Sequence, residues 1–141
     1  MNAVVIWESV TGTTRKAANL VAVGLRAKGI ETKVNSVTRI DHGALSAASI
    51  VIVGSWTDGL VFFGQKPGRQ SRLWSLPYLT GKQAFVYCTY AVDAGRAVDK
   101  LAAIVQSRGA DVLGGRKVHR FHLERDCAAL LEQILQAVPA S

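Results

Sequence analysis

The sequence predicts an α/β fold, an open doubly wound sheet of five parallel strands forming a single domain over residues 1–141. Three observations lead there. Short β-branched runs alternate with longer segments of helical period, and each long segment supplies the crossover that parallel pairing requires. Hydrophobic residues make up 49% of the chain, which excludes disorder and suits a sheet covered on both faces. The 141 residues fill one domain and contain no internal repeat, low-complexity tract or linker.

Val4-Val5-Ile6-Trp7 reads as the first buried strand. Thr14 to Lys28 reads as a helix with Ala18, Val21 and Leu25 on one face and Gly29 as its stop. Glu31 to Val37 alternates as a second strand. A short connection through Asp41 and His42 leads to Ile50-Val51-Ile52-Val53, the most strand-like run of all. Ser55 to Lys66, rich in glycine and aromatics, is expected as loop. Pro67 suits the first turn of a short helix carrying Leu73 and Trp74, and Pro77 follows its end. Ala84 to Cys88 is the fourth strand. Asp93 is expected to cap the next helix, whose Val98, Leu101, Ala102 and Val105 recur at helical spacing before Gly109. Asp111-Val112-Leu113 starts the fifth strand, which two glycines then interrupt. In the closing helix Cys127, Leu130, Leu131, Ile134, Leu135 and Val138 form one apolar stripe.

Composition narrows the function classes. No apolar run approaches the roughly 20 residues of a membrane span. The amino terminus lacks a basic n-region, so no secretory signal is expected. Cys88 and Cys127 have neither metal nor redox spacing and read as reduced thiols of a cytoplasmic protein. Seventeen Lys and Arg against ten Asp and Glu give a net charge of +7. That field favours anions and acidic partners. No recognition-helix pattern or RNA-binding signature supports specific nucleic-acid binding. His119 and His122 lack the further ligands a metal needs, and no Ser-His-Asp order or carboxylate pair offers hydrolytic chemistry. Arg116, Lys117, Arg120 and Arg125 form the densest basic cluster, either a solvated edge or a docking patch.

In such sheets ligands bind beyond the carboxyl ends of the strands, near the point where strand order reverses. Three segments stand there. The first, Glu8-Ser9-Val10-Thr11-Gly12-Thr13-Thr14, joins strand to helix and presents the hydroxyls of Ser9, Thr11, Thr13 and Thr14 around Gly12. Helix-start amides and hydroxyls together suit a phosphate. The Gly-Lys-Ser/Thr ending of a nucleotide loop is missing, as is a Gly-x-Gly-x-x-Gly turn. The second segment runs from Gly54 through Ser55, Trp56, Thr57, Asp58, Gly59 and Phe62-Phe63 to Gly64, and the third from Cys88 through Thr89, Tyr90 and Asp93 to Gly95.

The stretch from Val5 to Val21 resembles the flavodoxin signature, with Ser9, Gly12, Thr14, Ala18 and Val21 at its fixed positions and Trp7 where the family usually has Phe or Tyr. The resemblance implies a flavodoxin-like sheet of strand order 2-1-3-4-5, with FMN at the switch point. It also implies an FMN phosphate on the first segment and a flavin ring held by the other two. Trp56 would stack on the ring, with Phe62 or Phe63 as alternatives, and Asp58-Gly59 would be the peptide free to flip, since glycine takes either sign of φ. Tyr90 would stack from the third segment, with Thr89 and Gly95 supplying backbone groups. The function so implied is a flavoprotein of electron transport, a one-electron carrier between redox partner proteins with acidic surfaces. Its basic charge departs from the acidic norm of the family and predicts a less strongly reducing carrier. Two alternatives stay open: an FMN-dependent oxidoreductase passing electrons from NAD(P)H to a quinone, and a flavin-free interaction module.

Overall fold

The computed structural model describes residues 1–9, 12–60, 63–67 and 70–138. Val10, Thr11 and Phe62 lie outside that set, so the roles expected of them stay expectations. The strands are β1 (Asn2–Trp7), β2 (Glu31–Ser36), β3 (Ile50–Leu60), β4 (Phe63–Pro67), β5 (Gln83–Tyr90) and β6 (Asp111–His119). The helices are α1 (Thr13–Ala27), α2 (His42–Ala47), α3 (Gln70–Trp74), α4 (Ala97–Ser107) and α5 (Leu123–Ala137).

Five strands pair in parallel in the order β2-β1-β3-β5-β6, which is 2-1-3-4-5 when the five are counted along the chain. Alternation along each strand divides the core. Ala3, Val5, Ile50, Ile52, Phe85 and Tyr87 meet α1 and α5 on one face. Val4, Ile6, Val51, Val53, Val86 and Cys88 meet α4 and the residues around α2 and α3 on the other. Both faces are therefore apolar, as a sheet with a helix layer on each side requires.

Several local expectations are corrected. The stretch after Ser55 is a hairpin arm, not a loop: β3 runs on past the sheet, and β4 returns antiparallel with Thr57 opposite Pro67 and Asp58 opposite Lys66. Strand-forming Trp56, Thr57, Leu60 and Phe63 outweigh the glycines, and a register shift between Asp58 and Leu60 sets the single Gly59 against two residues of β4, Gly64 and Gln65. Pro67 consequently ends an outer strand, where a missing N–H is tolerated, and α3 starts at Gln70. The connection through Asp41 and His42 contains α2, capped by Asp41, whose carboxylate accepts from the Ala44 N–H at 3.0 Å. Asp93 does not cap α4: that helix begins after Arg96, and the Asp93 carboxylate instead accepts from the Gly95 N–H at 2.9 Å. Gly114 and Gly115 do not break the fifth parallel strand. They pair with Phe85 and Val86 inside β6, where an added Cβ would stand 2.4 Å from Gln133 and 2.8 Å from Val86.

Candidate functional site

The turn after β1 sets up the amino end of α1. Gly12 takes φ 90°, a left-handed conformation that L side chains rarely adopt, and its N–H donates to Ser9 Oγ at 2.9 Å. The first turn of α1 has no side-chain cap and no acidic residue. Arg15 and Lys16 follow on exposed positions. A helix start of this kind carries a partial positive charge with amides to offer an anion.

Thr14 turns inward. It is fully buried, and its hydroxyl shares a 3.0 Å hydrogen bond with that of Thr89 at the end of β5. One turn below, the buried Tyr87 hydroxyl donates to the Thr14 carbonyl at 2.9 Å. These bonds latch the first segment to the third. Burial holds the Tyr87 phenol well above its ordinary pKa, aided by the nearby thiols of Cys127 and Cys88, so it remains a neutral donor. Tyr87 also explains Gly54, since a Cβ there would stand 2.0 Å from Tyr87 Cζ. Both cysteines are free and buried. Burial raises the Cys88 thiol far above its usual value and the Cys127 thiol to about 11, with Asp126 adding to the latter, so neither offers a thiolate near neutral pH.

Between these loops and the hairpin arm lies a cleft of about 220 Å³ lined by Thr13, Trp56, Thr57, Thr89, Tyr90, Ala91 and Arg120. The first, second and third segments thus converge, with an aromatic side chain from each of the latter two. Trp56 Nε1 and Thr57 Oγ1 are both buried and have no hydrogen-bond partner among the described residues. Two such orphans beside one cleft are costly unless something else satisfies them. Ser55 is buried beneath, its hydroxyl donating to the Trp56 carbonyl at 3.3 Å. Gly59 sits in β3 opposite the register shift of the arm. Gly95, with φ 52°, has its amide engaged by Asp93 and does not line the cleft.

Tyr90 is fixed from β6. It pairs with His119 in the sheet, its carbonyl accepts from the Arg120 N–H at 2.8 Å, and its ring meets His119 edge-on at 4.9 Å. The Phe121 N–H donates to His119 Nδ1 at 3.1 Å, which leaves the proton of the neutral ring on Nε2. The Lys117 ammonium stands 6.0 Å from the Tyr90 ring centroid. Asp126 organises the basic cluster: it accepts from the His119 N–H at 2.8 Å and pairs with Arg125 at 3.2 Å and Arg116 at 3.6 Å. Burial would raise its carboxyl, but these bonds and charges outweigh burial and hold it below its ordinary 3.8. On the other side, the buried Glu8 is neutralised by Arg72 at 3.4 Å. Among the described residues the cleft lining carries one cation, Arg120, and no carboxylate. Arg120 was visible in the sequence only as part of a basic cluster. Its place just beyond the carboxyl end of the last strand is the signal that marks it.

A doubly wound parallel sheet of this strand order, with an uncapped helix start and an aromatic-sided cleft at its switch point, defines a fold class, the open α/β sheets whose ligand sites lie beyond the carboxyl ends of the strands. Among solved structures the chain is similar to flavodoxin 1 of Bacillus cereus, with 25% identity, a TM-score of 0.72, and coverage of 99% of this chain and 100% of that one. It is similar to a Streptococcus pneumoniae flavodoxin at 27% identity and TM-score 0.69, covering 98% and 100% of the two chains. The flavodiiron core of Synechocystis Flv1 shares the fold at 19% identity and TM-score 0.69, with 97% of this chain matching 36% of that one. No family model matches the sequence, and no curated protein matches it either. The chain is flavodoxin-like.

Proposed function

We propose that this protein binds FMN in the cleft and carries single electrons between redox partner proteins. The observation that carries this is the cleft itself, where Trp56 and Tyr90 meet an uncapped helix start beside Thr13, with two buried polar atoms of its lining residues, Trp56 Nε1 and Thr57 Oγ1, unpartnered among the described residues. A flat heteroaromatic group with polar edges and a phosphate tail fits that donor set. Thr13 and the first turn of α1 would hold the phosphate, while Trp56 and Tyr90 would flank the ring. Ser9 and Thr14 hold the loop in shape from beneath, and Gly59 gives the arm a peptide that can turn over. FMN, when bound, supplies reversible one-electron chemistry. The residues shield the ring, orient it and set the local charge. The two free buried thiols suit a reducing, cytoplasmic setting.

Arg120 lines the cleft, Lys117 stands beside the Tyr90 ring, and Arg125, paired like Arg116 with Asp126, shares a groove with Arg120 just past β6; Val92 and Phe121 are each 73% exposed. That surface suits partners with acidic docking faces, whose association should slow as ionic strength rises. The same charges favour electron uptake. A unit charge about 10 Å away is worth roughly 0.4 kcal/mol in water, or about 20 mV, so several raise the potential by tens of millivolts.

The test is a visible spectrum of the protein with added FMN, followed by stepwise anaerobic reduction. Perturbed flavin bands and a long-wavelength species at half reduction are the expected result. Absence of binding at micromolar FMN would remove the carrier function.

A further inference from the structure

A second groove, of about 440 Å³, opens at the carboxyl ends of β1 and β2. Because β1 lies between β2 and β3, this groove and the cleft stand on opposite sides of the turn that leads into α1. Trp7, Arg15, Asn19, Asn35, Thr38 and Arg39 line it, and among the described residues no carboxylate does. The Arg15 guanidinium lies over the Trp7 ring, 5.6 Å from its centroid, so a cation and an aromatic face are already assembled. Asn35 is spent on structure: its amide donates to the Val34 carbonyl and its oxygen accepts from the Asp41 N–H at 3.1 Å. The Ser36 and Thr38 hydroxyls bond each other at 3.0 Å. Arg15 and Arg39, both exposed, have no ion-pair partner among the described residues.

In dinucleotide-binding sheets the end of the second strand reads the adenosine ribose. A carboxylate there receives its hydroxyls, and an arginine there takes a phosphorylated ribose. This chain presents the arginine, Arg39, without the carboxylate. We propose that the groove binds an adenosine phosphate, with the phosphate between Arg15 and Arg39 and the base stacked on the Arg15–Trp7 platform. Two sources share that chemistry. One is the adenylate half of a flavin dinucleotide, which would run from the cleft past the turn before α1 and rests on the flavin reading above. The other is the phosphoadenosine end of a separate nicotinamide dinucleotide phosphate.

The experiment is calorimetric titration of FMN, FAD and adenosine 2′,5′-bisphosphate into the wild-type chain, Arg39→Glu and Arg39→Gln, with folding checked by circular dichroism. Loss of a charge-assisted contact predicts weakening by roughly tenfold or more in Arg39→Glu, and less in Arg39→Gln, with FMN affinity unchanged. FAD binding tighter than FMN, with the advantage lost in Arg39→Glu, assigns the groove to a tethered adenylate. Bisphosphate binding to the FMN-saturated protein, lost in the same variant, assigns it to a separate dinucleotide. The proposal is overturned if FAD binds no tighter than FMN and the bisphosphate either fails to bind or binds both variants as well as wild type. Failure of the flavin reading would show separately, as no FMN binding, and the bisphosphate titration into the unliganded chain would still decide the groove.

Discussion

Thr89 and Trp56 are neighbours across β5 and β3, yet their polar atoms are treated in opposite ways. Thr89 is buried and fully engaged with Thr14, and Tyr87 closes the same network from below. Trp56 Nε1 and Thr57 Oγ1 are buried with no hydrogen-bond partner among the described residues. The first arrangement is architecture: hydroxyls from distant parts of the chain hold the turn before α1 against the sheet. The second is unfinished: both atoms belong to residues that line the cleft, where a shift of those side chains on binding would let a ligand bond them. Polar burial therefore separates the part of the site that the fold maintains from the part that a cofactor would finish.

Substitutions on the two sides should differ in sign. Gly54→Ala strikes the closed side hardest, because its Cβ would stand 2.0 Å from Tyr87 Cζ in a fully buried layer. A loss toward the upper end of roughly 1–3 kcal/mol is expected in urea unfolding. Tyr87→Phe leaves the Thr14 carbonyl without its donor and should cost about 1–2 kcal/mol by the same measurement. Thr57→Val on the open side should do the reverse. Removing an unpartnered hydroxyl leaves the unliganded protein as stable or more stable, by up to about 1 kcal/mol, while FMN affinity falls roughly tenfold. Equal destabilisation by Thr57→Val and Tyr87→Phe without flavin would erase the distinction.

The smallest effect concerns acid. Asp126 ties the backbone of His119, and through it the cleft rim, to Arg125 and Arg116. Its folded pKa lies below the ordinary 3.8, so its contribution is fully present above that value and is lost as pH falls through the depressed one. Comparing urea midpoints at about pH 6 and about pH 3, Asp126→Asn should lose less between the two than wild type does. An unchanged difference would mean that the carboxylate contributes nothing through its charge.

The parallel sheet was legible because β-branched runs and helical stripes carry their own periods, as in Ile50–Val53 and the Cys127-to-Val138 stripe. The arm was not, because Gly59 and Gly64 look like loop and the pairing that overrides them comes from the partner strand. Six-residue α2 is too short to show a period, and only Asp41 marked it. At the site, the segments that converge on Thr13, Trp56, Thr89 and Tyr90 could be read from their positions at strand ends. The Thr14–Thr89 bond could not, since its partners are 75 residues apart. Arg120 was hidden for a similar reason: its cluster is basic along the chain, while its relation to the cleft exists only in three dimensions.

The orphaned indole gives the most direct test. The chain has three tryptophans, at 7, 56 and 74, so their indole N–H signals can be assigned in a nitrogen-15 correlation spectrum by single substitution. On titration with FMN, the Trp56 signal should shift most and gain protection from exchange, while that of the exposed Trp74 stays in place. A Trp56 signal that is unmoved at saturating FMN would contradict the assignment of the cleft as the flavin site.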